Sequence, residues 1–244
     1  MISADQPTCF PSNVQVALSS RADGTMLDRT LPTHAPEIID NRQRFCISQG
    51  IEYRNVVYQR IVYSDHRTYD MIAEVDDGST TKHTPEVAAD ALYTRSRNVA
   101  LLLPVADCVA TVVYDPTTEA LALLHLGRHS TLTPLLVRVL DKMTHEGADP
   151  ENIIVWMSPN AHASHYTMKY FDHAEEPDWR EFCKRQSDGY HLDLQGYNQA
   201  ICLKHGLRPG HIQTSPINTV TDPNYFSHSA GDVKGRFAVV MMLR

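Results

Sequence analysis

An α/β fold, two packed mixed sheets with helices outside them (a layered α/β/β/α sandwich), follows from three observations in this 244-residue sequence. Short continuous apolar runs, Val99-Ala-Leu-Leu-Leu-Pro-Val105 and Ala120-Leu-Ala-Leu-Leu124, read as buried strands. Amphipathic segments with helix start and stop signals lie between such runs. Strands outnumber helices, and hairpins mix with longer crossovers, which gives mixed sheets covered by outer helices. No Pro/Gly/Ser-rich linker or internal repeat interrupts the chain, so residues 1–244 read as a single domain. A chain of this length can bury a substantial core.

Taken in order, Val14–Leu18 is expected to be the first strand. Pro36 to Gly50 has the asymmetry of a helix, with Pro at its start and Gly past its end. Asn55–Tyr63 and Tyr69–Val75 read as strands, and Asp76–Ala88 is polar. Val109–Tyr114 and Ala120–His125 are predicted to pair as a hairpin, because Asp115-Pro-Thr-Thr-Glu119 places Asp and Pro as a type I turn wants them. Thr131–His145 reads as one helix with an apolar stripe of Leu135, Leu136, Val139, Leu140 and Met143. Ile153–Met157 is a short strand, Asp193–His205 a helix stopped at Gly206, and Arg236–Leu243 a closing strand.

Composition excludes several functions. The net charge is −7 and no Lys/Arg cluster exceeds two or three residues. A nucleic-acid binder needs a basic stripe to neutralise phosphates. A small anion needs only one local arginine pair. The five cysteines, Cys9, Cys46, Cys108, Cys183 and Cys202, are odd in number and scattered, which is no disulfide framework. The start, Met1-Ile-Ser-Ala-Asp-Gln-Pro-Thr8, has neither a basic nor an apolar leader region. No apolar run is long enough to cross a bilayer. A soluble, cytoplasmic protein with reduced thiols is expected.

The chemistry concentrates between Asp90 and Ser130. Cys108 and His125 stand seventeen positions apart, each at the end of an apolar run. The predicted hairpin returns His125 to the neighbourhood of Cys108. A thiol and an imidazole placed so can be half of a zinc site or a thiolate–imidazole nucleophile. The plainer alternative is an inert buried thiol beside a satisfied histidine.

Ala89-Asp-Ala-Leu-Tyr-Thr94, Val105-Ala-Asp-Cys108, Tyr114-Asp-Pro116 and Leu124-His-Leu-Gly127 follow the order and spacing of one family's motifs, ADALxT, TADC, DP and HAGWRG. Asp222-Pro-Asn-Tyr-Phe-Ser227 and Lys234-Gly-Arg-Phe237 are similar to its FFSYRRDxxTGRM ending. Ser19-Ser-Arg21 with Gly24 is similar to its S-T-R-x-G-G opening, and Asp40-Asn-Arg42 to its E-N-R helix. The chain thus resembles the laccase-domain proteins, once called multicopper polyphenol oxidases and now purine nucleoside phosphorylases with adenosine deaminase activity. The likeness spans nearly the whole chain and implies the same layered fold.

The resemblance implies a zinc site with Cys108 and His125 as ligands and purine nucleoside (adenosine or inosine) and phosphate as substrates. The family's first ligand comes from a Q-V-H segment. A gapless placement sets Ile61-Val-Tyr63 there, whereas a small insertion brings in His66, which is taken as the third ligand because imidazole is the better zinc donor. Three ligands would leave an open position for a water or substrate. Cys108 Sγ and a His125 nitrogen are then expected about 3–4 Å apart. Asp107 is either a general base or a local cap. His129 is a further ligand or proton donor, or a solvated helix residue. Arg21, Arg128 and Arg236 are the phosphate-binding candidates, since a guanidinium fork matches an oxyanion. Copper is less fitting than zinc, because a multicopper centre needs more converging histidines. His162 and His165 could also ligate a metal, but the resemblance gives them no role.

The departures are specific. HAGWRG is here His125-Leu-Gly-Arg-His-Ser130, C-T-Y is Asn218-Thr-Val220, and Y-R-R is His228-Ser-Ala230. Two other readings therefore stand beside the phosphorylase: a metal-free hydrolase using Cys108 and His125, and a non-catalytic remnant that binds a nucleoside or a partner.

Overall fold

The computed structural model describes residues 1–64, 66–79 and 86–244. Fourteen strands lie among them. They are β1 (Val14–Leu18), β2 (Val56–Arg60), β3 (Ile72–Glu74), β4 (Glu86–Ala88), β5 (Ala91–Thr94), β6 (Ala100–Val105) and β7 (Val109–Asp115), followed by β8 (Ala120–Leu126), β9 (Ile154–Met157), β10 (Thr167–Met168), β11 (Cys183–Gln186), β12 (Gly189–Leu192), β13 (Ile212–Thr214) and β14 (Phe237–Leu243). The α-helices are α1 (Pro36–Ser48), α2 (Arg128–Leu132), α3 (Leu135–His145) and α4 (Leu194–Lys204).

Two mixed sheets carry the fold. The first has the order β1-β14-β6-β2-β4 and the second β13-β9-β7-β8-β5-β3. In the first, β1, β14 and β6 are antiparallel and β2 joins β6 and β4 in parallel. In the second, the antiparallel run β9-β7-β8-β5 is flanked by parallel β13 and β3. The period-2 alternation of strands sorts the apolar residues into layers. Leu101, Leu103, Val239 and Met241 meet Ala110, Val112, Leu121 and Leu123 between the sheets. The opposite faces take the helices: α1 with Phe45 and Cys46 on the first sheet, and α3 and α4 on the second, where Leu136, Val139, Leu140 and Met143 pack on Val109, Val113 and Leu124. This is the α/β/β/α sandwich expected from the sequence.

The hairpin forms in the predicted place, with Ala110 opposite His125 and Asp115 opposite Ala120. Its turn is held by Asp115, whose carboxylate accepts from the Thr118 amide and hydroxyl. Other expectations are corrected in detail. The single helix over 131–145 is two: α2 starts at Arg128, and the run breaks at Thr133-Pro134 before α3. Pro134 has no N–H for the carbonyl four residues back, and its ring crowds the preceding turn. The strand expected to reach Tyr63 stops at Arg60, where its last partner, Ala88, also ends. The strand expected from Tyr69 begins only at Ile72, since Tyr69 has φ +57° and turns the chain. Residues 80–85 of the polar stretch lie outside the described residues. The small sheet β10-β12-β11 had no expected counterpart, because its strands are two to four residues long and mostly polar.

Candidate active-site groove

The functional residues gather at one end of the sandwich, where the chain crosses from the first sheet to the second. Only Ala106-Asp107-Cys108 separate β6 from β7. So tight a crossing requires an unusual backbone, and Asp107 adopts φ +74°, a left-handed conformation that Asp tolerates better than most residues. Its side chain is 5% exposed and fully used. Oδ1 accepts from the Thr219 hydroxyl at 2.7 Å and Oδ2 from the Ser229 amide at 2.7 Å. Of the two readings left open for Asp107, the geometry supports the anchor: it ties the 219 and 229 loops to the crossing that presents Cys108.

His125 is the penultimate residue of β8, on the strand face turned toward the first sheet. Its amide donates to the Asp90 carbonyl, and the Ser130 hydroxyl donates to its carbonyl at 2.6 Å while accepting from the Gly127 amide. Gly127 explains how thiol and imidazole meet. A Cβ at that position would lie 3.1 Å from Cys108 Sγ, 3.2 Å from His125 Cε1 and 3.7 Å from His125 Nε2. The two side chains therefore converge on the space above this residue, and a side chain there would crowd both.

Both groups are electrically neutral at physiological pH. Burial, reinforced by the Asp107 carboxylate, pushes the Cys108 thiol up to about 12, against a smaller opposing pull from Arg236. Burial, with Arg236 and Arg67 nearby, lowers His125 to about 4. A nucleophilic cysteine pair needs a thiolate beside an imidazolium. At pH 8 a thiol with so high a pKa carries ~10³-fold less thiolate than an ordinary cysteine. Iodoacetamide is accordingly expected to label Cys108 at least ~10²-fold more slowly than a free cysteine at that pH, read by peptide mass spectrometry. Fast labelling at neutral pH would instead restore the cysteine-hydrolase reading.

The lowered His125 pKa also predicts acid sensitivity. Below the unfolded value near ~6.5 the unfolded chain binds a proton that the folded chain refuses until about pH 4. Stability is therefore fully present above pH ~6.5 and is lost as pH falls toward 4, by about 3 kcal/mol at 1.36 kcal/mol per unit. Urea midpoints across that window are expected to fall in the native protein and to stay flatter in His125→Gln.

Three adjoining cavities, of about 390, 270 and 190 Å³, form the groove, and Tyr63 lines all three. The two larger ones share Arg29, Tyr63, Pro104 and Arg236. The two smaller share Tyr63, Cys108, His125 and Tyr166. Arg236 is 8% exposed. Burial and the facing Arg29 charge lower its pKa. Among the described residues neither arginine is recorded in an ion pair with a carboxylate. Arg236 is desolvated and Arg29 is exposed, and an anion entering between them would offset the repulsion of the two like charges.

The other sequence candidates fall differently. Arg128 lines the smallest cavity and bonds the His129 ring at 3.0 Å. His129 stacks on Tyr69 with centroids 4.7 Å apart, and burial followed by Arg128 lowers its pKa. It sits in the first turn of α2. Arg21 lines none of the three cavities: it grips Asp232 at 2.6 Å, the Tyr225 carbonyl at 2.8 Å, and lies over the Phe226 ring. His66 is exposed and also lines none of them. His165 bonds Ser164 and Asn218 away from the groove. Arg29, Tyr69 and Tyr166 were not singled out from sequence, because each lies outside any motif; only the gapless placement of Tyr63 pointed to a tyrosine in this wall.

The metal implied by the family can be tested on these donors. Cys108 and His125 converge, and the buried Nδ1 of His125 lacks a hydrogen-bond partner. His66 does not join them, and no group of three or more His, Cys, Asp or Glu among the described residues is placed to hold a metal ion. Two donors do not make the three-ligand zinc site expected from sequence.

The α/β sandwich thus opens at one end onto a groove of arginines, tyrosines and a thiol–imidazole pair, a concave site of mixed polar and aromatic lining. The chain belongs to the multi-copper polyphenol oxidoreductase laccase family, which it matches over residues 28–244. It is 29% identical over 158 residues to the purine nucleoside phosphorylase YlmD of Bacillus subtilis, covering 62% of this chain and 57% of that protein. It is 27% identical over 210 residues to a purine nucleoside phosphorylase of Corynebacterium glutamicum, covering 84% and 81%. The crystal structure of Bacillus licheniformis hypothetical protein YfiH superimposes with a TM-score of 0.80 at 23% identity, covering 95% of this chain and 93% of that one. YlmD from Geobacillus stearothermophilus gives 0.77 at 22%, covering 96% and 93%. Among the described residues no helix is long and apolar enough to cross a membrane.

Proposed function

We propose that this chain is a cytoplasmic, single-domain purine nucleoside phosphorylase acting on adenosine or inosine. The observation that carries the reading is the Arg29–Arg236 pair, two guanidiniums that line the same cavities, neither in a recorded ion pair among the described residues although Asp28 and Asp107 also line them, next to an aromatic-walled lobe. Phosphate fits the first and a purine nucleoside the second. In phosphorolysis a phosphate oxygen forms a bond to the anomeric carbon of the ribose. The bond from that carbon to the purine nitrogen breaks, and the base leaves with a proton. The two arginines bind and orient the attacking phosphate and offset the charge it brings into a low-dielectric site. Tyr69, Tyr166 and His129 give the purine flat and polar surfaces on which to stack and bond. Arg128 is a second contact for an anionic or polar group at that lobe. The names of the two phosphorylase relatives support the same substrate class.

Zinc and adenosine deamination are the finer parts of the family resemblance. Deamination at a purine carbon needs an activated water, and no step here is routed through a metal that two donors would have to hold. One assay separates these outcomes. Protein purified without an affinity tag is incubated with adenosine or inosine, with and without phosphate, and base is separated from nucleoside. Phosphate-dependent adenine or hypoxanthine supports phosphorolysis, and inosine from adenosine would mark deamination. No product from folded protein would favour the binding-only remnant.

A further inference from the structure

The wall beside the thiol–imidazole pair holds a phenol. The Tyr63 ring meets the His125 ring edge-on, with centroids 6.3 Å apart. Tyr63 lines both cavities that contain Cys108 and His125. Hydrogen bonds hold the residues on either side of it. Arg67 donates to the Val62 carbonyl at 2.8 Å and to the buried Asp90 carboxylate at 2.7 Å, and the Ser64 amide donates to the Tyr69 hydroxyl. His66 lies further along the same segment, exposed, its amide donating to the Ser64 hydroxyl at 3.3 Å.

We infer that Tyr63 replaces the third metal donor in this chain, so that Cys108 and His125 work as a metal-free pair and a single Tyr63→His change supplies what a zinc site lacks. The inference concerns the same groove as the proposed phosphorylase but does not depend on its substrate.

The chemistry of the three side chains fits. A phenol must lose a proton before it is a useful ligand, whereas imidazole is a neutral donor. Tyr63 keeps 59% of its surface accessible, and a phenol is ordinarily protonated at neutral pH. A divalent ion entering here would have to displace the thiol proton with only one neutral imidazole beside it. With three protein donors and a bound water, a tetrahedral set can close. Position 63 already borders the right space, so the change requires no new path for the backbone.

The probe is the metal itself, with readouts independent of nucleoside chemistry. Native protein, Tyr63→His, and Tyr63→His combined with Cys108→Ala are each purified untagged. Zinc is measured per chain, and cobalt is added to reveal any cobalt–thiolate absorption. The expected result is well under one zinc per native chain and no thiolate band. Tyr63→His is expected to hold close to one zinc, to show the band, and to gain thermal stability on adding zinc, with all three lost in the double variant. Near-stoichiometric zinc in the native protein, lost in Cys108→Ala, would overturn the inference. So would a folded Tyr63→His protein that binds no more metal than the native one. If Tyr63→His does not fold, native protein against Cys108→Ala decides: equal, low zinc in both sustains the metal-free pair. A native chain free of metal but active with phosphate leaves the phosphorylase reading intact, and an inactive chain that binds no metal removes that reading alone.

Discussion

Arg236→Gln is expected to lower phosphate-dependent base release by ~10²–10³-fold, the usual effect of removing one charge-stabilising donor from a reaction centre. The argument rests on the electrostatics of the free protein. Arg236 is 8% exposed, faces Arg29 across the larger cavities, and has its charged form disfavoured by burial and by that neighbour. An anion placed between the two guanidiniums relieves both costs. The loss should appear in kcat/KM for phosphate and should be shared by Arg29→Gln. Arg21→Gln is the contrast: that side chain is committed to Asp232 and to backbone carbonyls outside the groove, so it should alter stability more than rate. Binding can be read without turnover. Inorganic phosphate at ~100 times its Kd stabilises a folded protein by about 2.7 kcal/mol, so it should raise the native melting temperature and leave Arg236→Gln unmoved. Equal shifts in both proteins would place the anion elsewhere.

The largest expected stability effect lies behind the groove, at Asp90. Its side chain is fully buried. It accepts from Arg67 Nη2 at 2.7 Å and from the Met71 amide at 3.1 Å, while Arg67 Nη1 reaches the Val62 carbonyl. Burial outweighs these partners and holds the carboxyl above its ordinary range. Removing one member of a buried pair leaves the other uncompensated and costs ~3–5 kcal/mol. The lower end applies here, because the Arg67 side chain keeps 20% exposure and can recover some water. Asp90→Ala should therefore lower the urea-unfolding free energy by about 3 kcal/mol. It should also weaken nucleoside binding, since the freed segment carries Tyr63 and Tyr69. A loss under ~1 kcal/mol would show that the pair holds neither the fold nor the groove.

The central strands were legible in the sequence because burial on both faces leaves continuous apolar runs, and because Asp115-Pro116 marks its turn. The ends of α1 and α4 were legible for a similar local reason, Pro36 and Gly50 on one and Asp193 and Gly206 on the other. Pro134 marks the break between α2 and α3, but the apolar stripe from Leu135 to Met143 masks it by suggesting one continuous helix. The short strands from Thr167 to Leu192 gave no periodicity to detect. In the site, Cys108 and His125 could be paired because a single hairpin links them. Arg29 and Arg236 could not, since only the folded sheet brings positions so far apart in the chain to one cavity. Whether Tyr63 or His66 faces His125 depended on where β2 leaves the sheet, and that is set by its partner Ala88 rather than by its own residues.

The place of β14 in the first sheet has a consequence for how the protein is made. It lies between β1 and β6, and β1 has no other neighbour. On the ribosome β1 emerges early and must wait for Phe237–Leu243 before it has anything to pair with. Until then β6 carries an unpaired apolar edge, the kind of surface on which nascent chains aggregate. Arg236 immediately precedes this last strand, so the two larger cavities lack its guanidinium in any shorter chain. A chain halted before residue 236 therefore leaves β1 and one edge of β6 unpaired beside an incomplete groove wall.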